Sequence, residues 1–143
     1  MTSNKNPQIK VGVGVLVFKN NKVLLGKRKD VGHGTGEYAG PGGHLEYGES
    51  FEDCARRECR EEAGIEIKNI RFLRLSNIKK YQGKHYVDIG LLADWKNGNP
   101  EVLEPTKLES WGWYSLDNLP TPLFEPEKHY LEALNSGKNF FDE

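Results

Sequence analysis

The segment 43–65 constrains the fold of this chain more than any other part of the sequence. It reads G-H-L-E-Y-G-E-S-F-E-D-C-A-R-R-E-C-R-E-E-A-G-I. Its glycine-rich first half disfavours a helix, whereas its second half carries the signals that begin and end one. Ser50 can accept hydrogen bonds from the free N–H groups of a first turn, where Glu52 and Asp53 suit the positive end of the helix dipole. Gly64 suits the turn that follows a helix. The sequence therefore predicts a loop followed by a helix between Ser50 and Gly64.

Three glutamates of this helix share one side of it. At about 100° per residue, Glu58, Glu61 and Glu62 fall within an arc of roughly 100°. The arc borders an apolar stripe, formed one or two turns earlier by Phe51, Cys54 and Ala55. Carboxylates crowded on a half-buried face repel one another and resist desolvation. A hard divalent cation such as Mg²⁺ or Mn²⁺ would relieve both penalties, because such cations take oxygen ligands.

A second interpretation needs no metal. Glu-rich helices are commonly solvated faces, and neighbouring arginines can balance their acids. The helix supplies three such residues, Arg56, Arg57 and Arg60. The glutamates alone therefore leave both interpretations open.

The complete pattern resembles the Nudix box of the Nudix hydrolase family. That box runs Gly, five residues, Glu, seven residues, Arg-Glu, an apolar residue, any residue, Glu-Glu, any residue, Gly and an apolar residue. The residues at the fixed positions are Gly43, Glu49, Arg57, Glu58, Glu61, Glu62, Gly64 and Ile65. Cys59 stands where Leu, Ile or Val is usual, and because cysteine packs as a small hydrophobe we expect only a slightly looser core. The overlapping segment 41–46, P-G-G-H-L-E, is similar to that of MutT-like members.

The resemblance implies an α/β fold, the Nudix α/β/α sandwich with a mixed β-sheet, and it implies a metal site. Glu58, Glu61 and Glu62 would bind Mg²⁺, with Mn²⁺ as an alternative, and the backbone carbonyl of Gly42 would join them. Glu58 and Glu62 lie four residues apart on one helix face, whereas Glu61 is either a ligand or the group that holds the water. The predicted catalytic residues are Glu49, Arg57, Glu58, Glu61 and Glu62. Among them, Glu49 is expected to orient Arg57 or the loop.

A second group of residues is predicted to bind substrate: Arg28, Gly43, His44 and Asp88. Arg28 precedes a long Gly-rich loop, and its guanidinium can grip phosphate oxygens in a bidentate manner; a solvated strand end is the alternative. Asp88 could accept hydrogen bonds from a nucleobase. Gly40 and Asp88 both depart from the related MutT-like pattern, so a guanine preference does not follow from the resemblance.

Other polar and aromatic residues have weaker indications. Glu104 and Glu109 lie beyond the box, where related proteins often supply a further base or metal ligand; solvated acids are the alternative. The rings of Tyr81, Tyr86 and Phe124 could stack on a base or belong to the core. His33 and His129 are expected at the surface.

The rest of the chain predicts strands that alternate with two helices. The predicted strands are 9–18, 23–28, 66–75, 85–95 and 109–115, and a last helix is predicted at 127–135 with Tyr130, Leu131 and Leu134 as its apolar face. This order is typical of an α/β domain. The polar residues 1–8 predict a flexible N-terminus, and a length of 143 residues suggests a single domain at 9–143.

Composition limits the possible partners and compartment. The formal net charge is −1, so no overall charge attracts the chain to nucleic acid or membrane, and we expect neither as a partner. No apolar run is long enough to span a bilayer. The two cysteines, Cys54 and Cys59, suit neither a disulfide nor a zinc site, which indicates a cytoplasmic protein. The resemblance implies that a homodimer is possible, since related proteins are often dimers.

These observations lead to three functional hypotheses. The first is Mg²⁺-dependent hydrolysis of a nucleoside triphosphate to the monophosphate and pyrophosphate, a nucleotide-pool housekeeping activity. The second keeps the enzyme but changes its substrate to another nucleoside diphosphate derivative, such as a nucleotide sugar or a dinucleotide. The third is a non-catalytic nucleotide-sensing module, which the complete set of box acids disfavours.

Overall fold

The computed structural model describes residues 7–29 and 32–143, so most of the predicted flexible N-terminus lies outside the described residues. In chain order the elements are β1 (Lys10–Lys19), β2 (Lys22–Arg28), β3 (Tyr38–Ala39), β4 (Gly42–His44), α1 (Phe51–Ala63), β5 (Glu66–Ile78), β6 (Tyr86–Asn97), β7 (Leu108–Ser115), α2 (Glu125–Ser136) and β8 (Phe140–Asp142). All predicted strands and both helices are present. The three shortest strands, β3, β4 and β8, were not predicted, because only pairing with distant strands makes such short segments extended.

The described strands form one mixed sheet. β1 is central, pairing antiparallel with β2 and β4 and parallel with β6. β6 pairs antiparallel with β5, whose other edge takes β8 in parallel. β2 in turn pairs antiparallel with β3 and β7. The predicted mixed α/β sheet is therefore confirmed.

The two helices cover opposite faces of this sheet. Successive residues of a strand point to opposite faces, and along β1 Val15 and Val17 pack in the same core cluster as α1, whereas Leu16 packs with Tyr130 of α2. Neighbouring strands repeat this division. The arrangement is the α/β/α sandwich expected from the resemblance.

Helix α1 begins and ends where its sequence predicts. The Ser50 hydroxyl accepts a hydrogen bond from the Asp53 N–H at 3.0 Å, and Gly64 ends the helix with a left-handed φ of 69°. Its buried residues are Cys54, Ala55, Cys59 and Ala63. Both cysteines are free thiols, as expected. Phe51 is not part of the apolar stripe; it is 46% exposed, because it lies in the first turn, beyond the edge of the sheet core.

Helix α2 presents a more polar face to the sheet than its sequence predicts. Tyr130 is buried, but Leu134 is 36% exposed. The buried residues of this helix are Pro126, Glu127, His129, Tyr130 and Ala133. The expectation that His129 lies at the surface is wrong: its ring is stacked on Phe141 at 4.4 Å, and its Nδ1 lies 2.8 Å from the Ser76 hydroxyl. The Ser76 hydroxyl on β5 gives the buried imidazole a hydrogen-bond partner, which offsets the loss of water.

A buried arginine explains part of that polarity. Arg74 of β5 is 0% exposed, and its Nη2 lies 2.9 Å from Oδ2 of Asp88 on β6. The same guanidinium donates hydrogen bonds to the carbonyls of Asp88 and Pro126 and lies over the Tyr130 ring at 4.2 Å. It crosses Gly90, where an added Cβ would lie 2.6 Å from Cζ. The Arg74 guanidinium thus occupies the space that a side chain at position 90 would fill.

None of the helices in the described part of the chain has the length and apolar character needed to cross a membrane.

We expect Arg74→Met to lower the free energy of unfolding by about 3 kcal/mol, because it leaves the Asp88 carboxylate largely buried without its counter-charge. Urea denaturation followed by circular dichroism measures this change. Arg71→Met on the same strand is the matched control, since Arg71 and its partner Asp94 are well exposed, and it should cost less than about 1 kcal/mol. Equal losses in the two variants would contradict a special contribution of the buried pair.

Candidate active site

One cavity of about 860 Å³ collects most of the predicted site residues. Its walls come from β1, from β4 and the residues just before it, from the second half of α1, from the 104–108 segment and from the start of α2. This volume lies within the range of small-molecule sites in proteins. The predicted residues that line it are Arg28, Gly42, Gly43, His44, Arg57, Glu58, Glu61, Glu62 and Asp88.

The carboxylates of α1 lie directly beneath β4. The Gly42 N–H donates a hydrogen bond of 2.7 Å to Oε1 of Glu62. Glu58 approaches Gly43 so closely that any Cβ at position 43 would overlap its carboxylate. Only glycine therefore allows β4 to lie this close to the helix, which explains the glycine at the start of the box.

Two of these carboxyl groups bind protons unusually tightly in the absence of a cation. Burial, with added repulsion from Glu61 and Glu104, raises the pKa of Glu58 to about 7 despite the nearby Arg57. Burial also raises the pKa of Glu62 to about 8, although its hydrogen bond from Gly42 acts in the opposite direction. Burial makes it unfavourable for these carboxyl groups to ionise. A divalent cation, which takes oxygen ligands, would stabilise the ionised form.

Arg57 forms hydrogen bonds with three acids of the box. Its Nε and Nη2 bind the two carboxylate oxygens of Glu49 at 2.7 and 3.0 Å, and its Nη1 lies 3.2 Å from Glu58 and 3.1 Å from Glu61. Nη2 also donates to the His44 carbonyl at 3.1 Å. These hydrogen bonds hold the pKa of Glu49 down, at about 2. In the structure Glu49 contacts Arg57 and is not among the described residues that line the cavity.

The two candidate acids beyond the box, Glu104 and Glu109, lie in different places. Glu104 lines the cavity, and its charge contributes to the raised pKa values of Glu58 and Glu62. Glu109 points elsewhere and lies 3.7 Å from Lys27 in an exposed pair. Only Glu104 is therefore placed to act with the box.

Aromatic rings and Arg28 form another wall. The Arg28 guanidinium lies 3.9 Å over the Phe124 ring and donates to the His33 carbonyl at 3.0 Å. Tyr81 stacks on Phe124 at 5.2 Å, and Tyr86 stacks on His44 at 5.7 Å. Burial lowers the pKa of Arg28. The three aromatic residues thus line the cavity rather than the core, and His33 is only partly exposed among them.

The structure adds residues that the sequence did not indicate. Glu127 and Tyr130 line the cavity from α2, and the Gly40 N–H donates a hydrogen bond of 2.9 Å to Oε1 of Glu127. Asp88, which the sequence did indicate, lines the same cavity while paired with Arg74. In the sequence, Glu127 has the appearance of an ordinary acid in the first turn of a helix, so no local signal distinguishes it.

A second group of possible metal ligands lies outside this cavity. Among residues 7–29 and 32–143, a ligand atom from each of Glu125, His129 and Glu143 lies within 4.8 Å of the others. Glu125 is also within 3.1 Å of Lys80 and 3.4 Å of Lys128. Those lysines already supply the positive charge that a cation would bring.

Comparisons with known proteins agree with the fold and the box. The family model described as the NUDIX domain matches residues 8–134. The chain is 33% identical over 114 residues to the NAD-capped RNA hydrolase NudC of Pseudomonas putida strain KT2440, covering 80% of this chain and 39% of that protein. With the NAD-capped RNA hydrolase NudC of Vibrio parahaemolyticus the identity is 34% over 116 residues, covering 80% and 42%. The chain therefore spans about two fifths of the length of these curated relatives.

A solved structure matches over a larger share of both chains. The MutT NUDIX hydrolase from Burkholderia pseudomallei superposes with a TM-score of 0.82 at 35% identity, covering 87% of this chain and 97% of that one. The sheet order, the box helix under β4 and the sequence match all lead to one assignment. The chain belongs to the NUDIX family.

Proposed function

We propose that this protein is a Mg²⁺-dependent pyrophosphohydrolase that converts a nucleoside triphosphate to the monophosphate and pyrophosphate. The observation that carries the proposal is the pair Glu58 and Glu62, two carboxylates with raised pKa values in the wall of a nucleotide-sized cavity. The likeness to a MutT protein over nearly its whole length supports the triphosphate as substrate class.

Three groups would hold the cation: the carboxylates of Glu58 and Glu62 and the carbonyl of Gly42. When bound, Mg²⁺ or Mn²⁺ neutralises phosphate charge and makes water a better nucleophile. Glu61 keeps 52% of its side chain exposed beside Arg57, where it can bind a further ion or orient the attacking water. Glu104, which also lines the cavity, is a second candidate for accepting the proton of that water.

Cationic side chains around the cavity would bind the phosphates. Arg28 lies in the wall with its guanidinium plane fixed against Phe124, which prepares it for bidentate contact with phosphate oxygens. Lys10, Lys84 and Lys107 also line the cavity, and their charges help to lower the pKa of His44, after the larger effect of burial. These positive charges around the cavity favour the binding of a polyphosphate over that of a neutral ligand.

A dinucleotide or another nucleoside diphosphate derivative is the second candidate substrate. The curated relatives act on NAD-capped RNA, which contains a phosphoanhydride bond between two nucleosides, and this favours it. If this chain also acted on capped RNA, nucleic acid would be a partner, contrary to the expectation from net charge. The chain covers less than half of those relatives, whereas it covers nearly all of the MutT structure, so we place the triphosphate first. A cytoplasmic location and a homodimer remain predictions.

The metal-free protein should lose stability as the pH rises from about 5 to about 8. The pKa values of Glu58 and Glu62 in the folded protein, about 7 and about 8, lie above the ordinary glutamate value of 4.5. The folded state therefore binds these protons more tightly than the unfolded state, and their contribution is lost as pH rises through the folded pKa values. Thermal melting at pH 5.5 and 8 measures the change.

Added Mg²⁺ or Mn²⁺ should raise the melting temperature more at pH 8 than at pH 5.5, because only ionised carboxylates bind the cation. The double substitution Glu58→Gln, Glu62→Gln is the control, and it should remove most of the difference between the two pH values. A melting temperature unaffected by metal at both pH values would contradict a preformed cation site.

Glu58→Gln and Glu62→Gln should each lower kcat by at least ~10²-fold, since each removes a ligand charge while keeping the side-chain shape. In Glu62→Gln the retained amide oxygen can still accept from the Gly42 N–H. Steady-state hydrolysis of nucleoside triphosphates with Mg²⁺ measures the effect. Glu52→Gln, in the exposed first turn of the same helix, is the matched control and should keep the full rate. Normal turnover by both site variants would refute the metal assignment.

Hydrolysis in ¹⁸O-labelled water identifies the bond that breaks. If a triphosphate is cut between its α and β phosphorus atoms, the label appears in the monophosphate or in pyrophosphate, as mass spectrometry can establish. Labelled orthophosphate as the first product would show attack at the γ phosphorus instead. The same assay on dinucleotides and nucleotide sugars compares the two candidate substrate classes directly.

A further inference from the structure

The carbonyl groups at the C-terminal end of α1 accept hydrogen bonds from residues outside the helix. The last carbonyls of any α-helix have no partner within it. Here the Ala63 carbonyl accepts the Glu101 N–H at 3.0 Å, and the Glu62 carbonyl accepts the indole N–H of Trp111 at 3.1 Å. The Leu103 N–H lies 3.5 Å from the Glu62 carbonyl, which is long for a hydrogen bond. Trp111 is therefore the closer donor to the carbonyl of a box glutamate.

The segment that binds this end of the helix also carries Glu104. It connects β6 to β7, and Glu104 follows Leu103 directly. The Glu104 carbonyl accepts the N–H groups of Lys107 at 2.9 Å and Leu108 at 3.2 Å, so a closed turn leads into β7. Glu104 and Glu62 both line the cavity. The hydrogen bonds at the end of α1 thus connect the backbone that supports one acid with the backbone that supports the other.

Packing fixes the indole ring of Trp111 in place. Trp111 lies on β7 opposite Gly26 of β2, where an added Cβ would lie 2.8 Å from Cε3 of the indole. The glycine therefore leaves the space that the ring needs. The ring also packs against the core cluster that contains Cys59 and Ala63 of α1. Because packing already restricts the ring, its hydrogen bond to the end of the helix requires little further loss of conformational entropy.

We propose that Trp111 is a positioning residue: its indole N–H fixes the end of the box helix against the segment that follows β6, and thereby sets the spacing between Glu62 and Glu104. The inference rests on the proposed function, because it takes Glu62 as a metal ligand and Glu104 as an acceptor for the proton of the attacking water. Without the indole N–H, the Glu62 carbonyl keeps only the long contact with Leu103. The backbones that support the two acids can then shift relative to each other, and displacements of about 1 Å between reacting groups slow a reaction strongly.

The test replaces Trp111 by benzothienylalanine, a tryptophan isostere in which sulfur takes the place of the indole N–H. This change removes the donor and keeps the shape of the ring toward the cavity and the core. With the nucleoside triphosphate that the wild type cleaves fastest and Mg²⁺, we expect kcat to fall about tenfold and KM to stay within about twofold. Trp111→Phe, which removes the N–H and part of the ring, is the second variant and should lower kcat at least as much. Circular dichroism establishes that each variant is folded at the assay temperature.

Trp113 provides the matched control. It lies two residues further along β7 and packs against the same core cluster, but it is not among the described residues that line the cavity. Benzothienylalanine at position 113 should leave kcat and KM at their wild-type values. An unchanged kcat in the Trp111 isostere variant would overturn the proposal, and so would an equal loss in the two isostere variants.

Amide hydrogen exchange of the metal-free protein, followed by NMR, tests the same contact without a substrate. The Glu101 N–H is bound to the Ala63 carbonyl, next to the carbonyl that Trp111 holds. In the Trp111 isostere variant it should exchange roughly three- to tenfold faster, the factor that corresponds to one hydrogen bond. Unchanged exchange would overturn the proposal even if kcat fell. A wild-type protein that hydrolyses no nucleotide would refute the proposed function and the role of Trp111 in hydrolysis, whereas faster Glu101 exchange would still support the anchoring of the helix end.

Discussion

The hydrogen bond between the Gly42 N–H and Glu62 fixes the arrangement on which the rest of the site depends. It joins the short strand β4 to the box helix, and the strand can lie there only because Gly43 has no side chain to meet Glu58. A carboxylate accepting a backbone N–H in a partly buried place is held in a single orientation. The glycines of β4 and the acids of α1 are thereby brought to the same cavity.

Arg57 divides the acids of the box into two kinds. Glu49 receives two hydrogen bonds from the guanidinium, and its charge is fully compensated within the protein. Glu58 and Glu62 are compensated poorly, so burial dominates and raises the pKa of both. The well-compensated acid supports the loop, whereas the poorly compensated pair would be available to the cation that we propose. The same residue type thus has different chemistry within one helix because its neighbours differ.

The two faces of the sheet also differ in chemistry. The face under α1 is packed with small and branched apolar residues, which hold the box helix against β1 and β6. The face under α2 accommodates the buried Arg74, its partner Asp88 and the carboxyl group of Glu127. Burying these groups is tolerable because each charge has an opposite charge or a backbone group beside it. The polar groups are concentrated where the cavity meets the second helix.

The sequence by itself determined the box helix, its ends and its family, because caps, spacing and glycines are local signals that act within a few residues. It also predicted that Glu58, Glu62 and Arg57 lie together, and they line one cavity because their positions follow from one helix. Only the tertiary structure brought Glu104 into the cavity, placed Glu109 outside it, and buried the polar face of α2. Those outcomes depend on contacts between residues far apart in the chain, such as Gly40 with Glu127, and no local pattern carries that information.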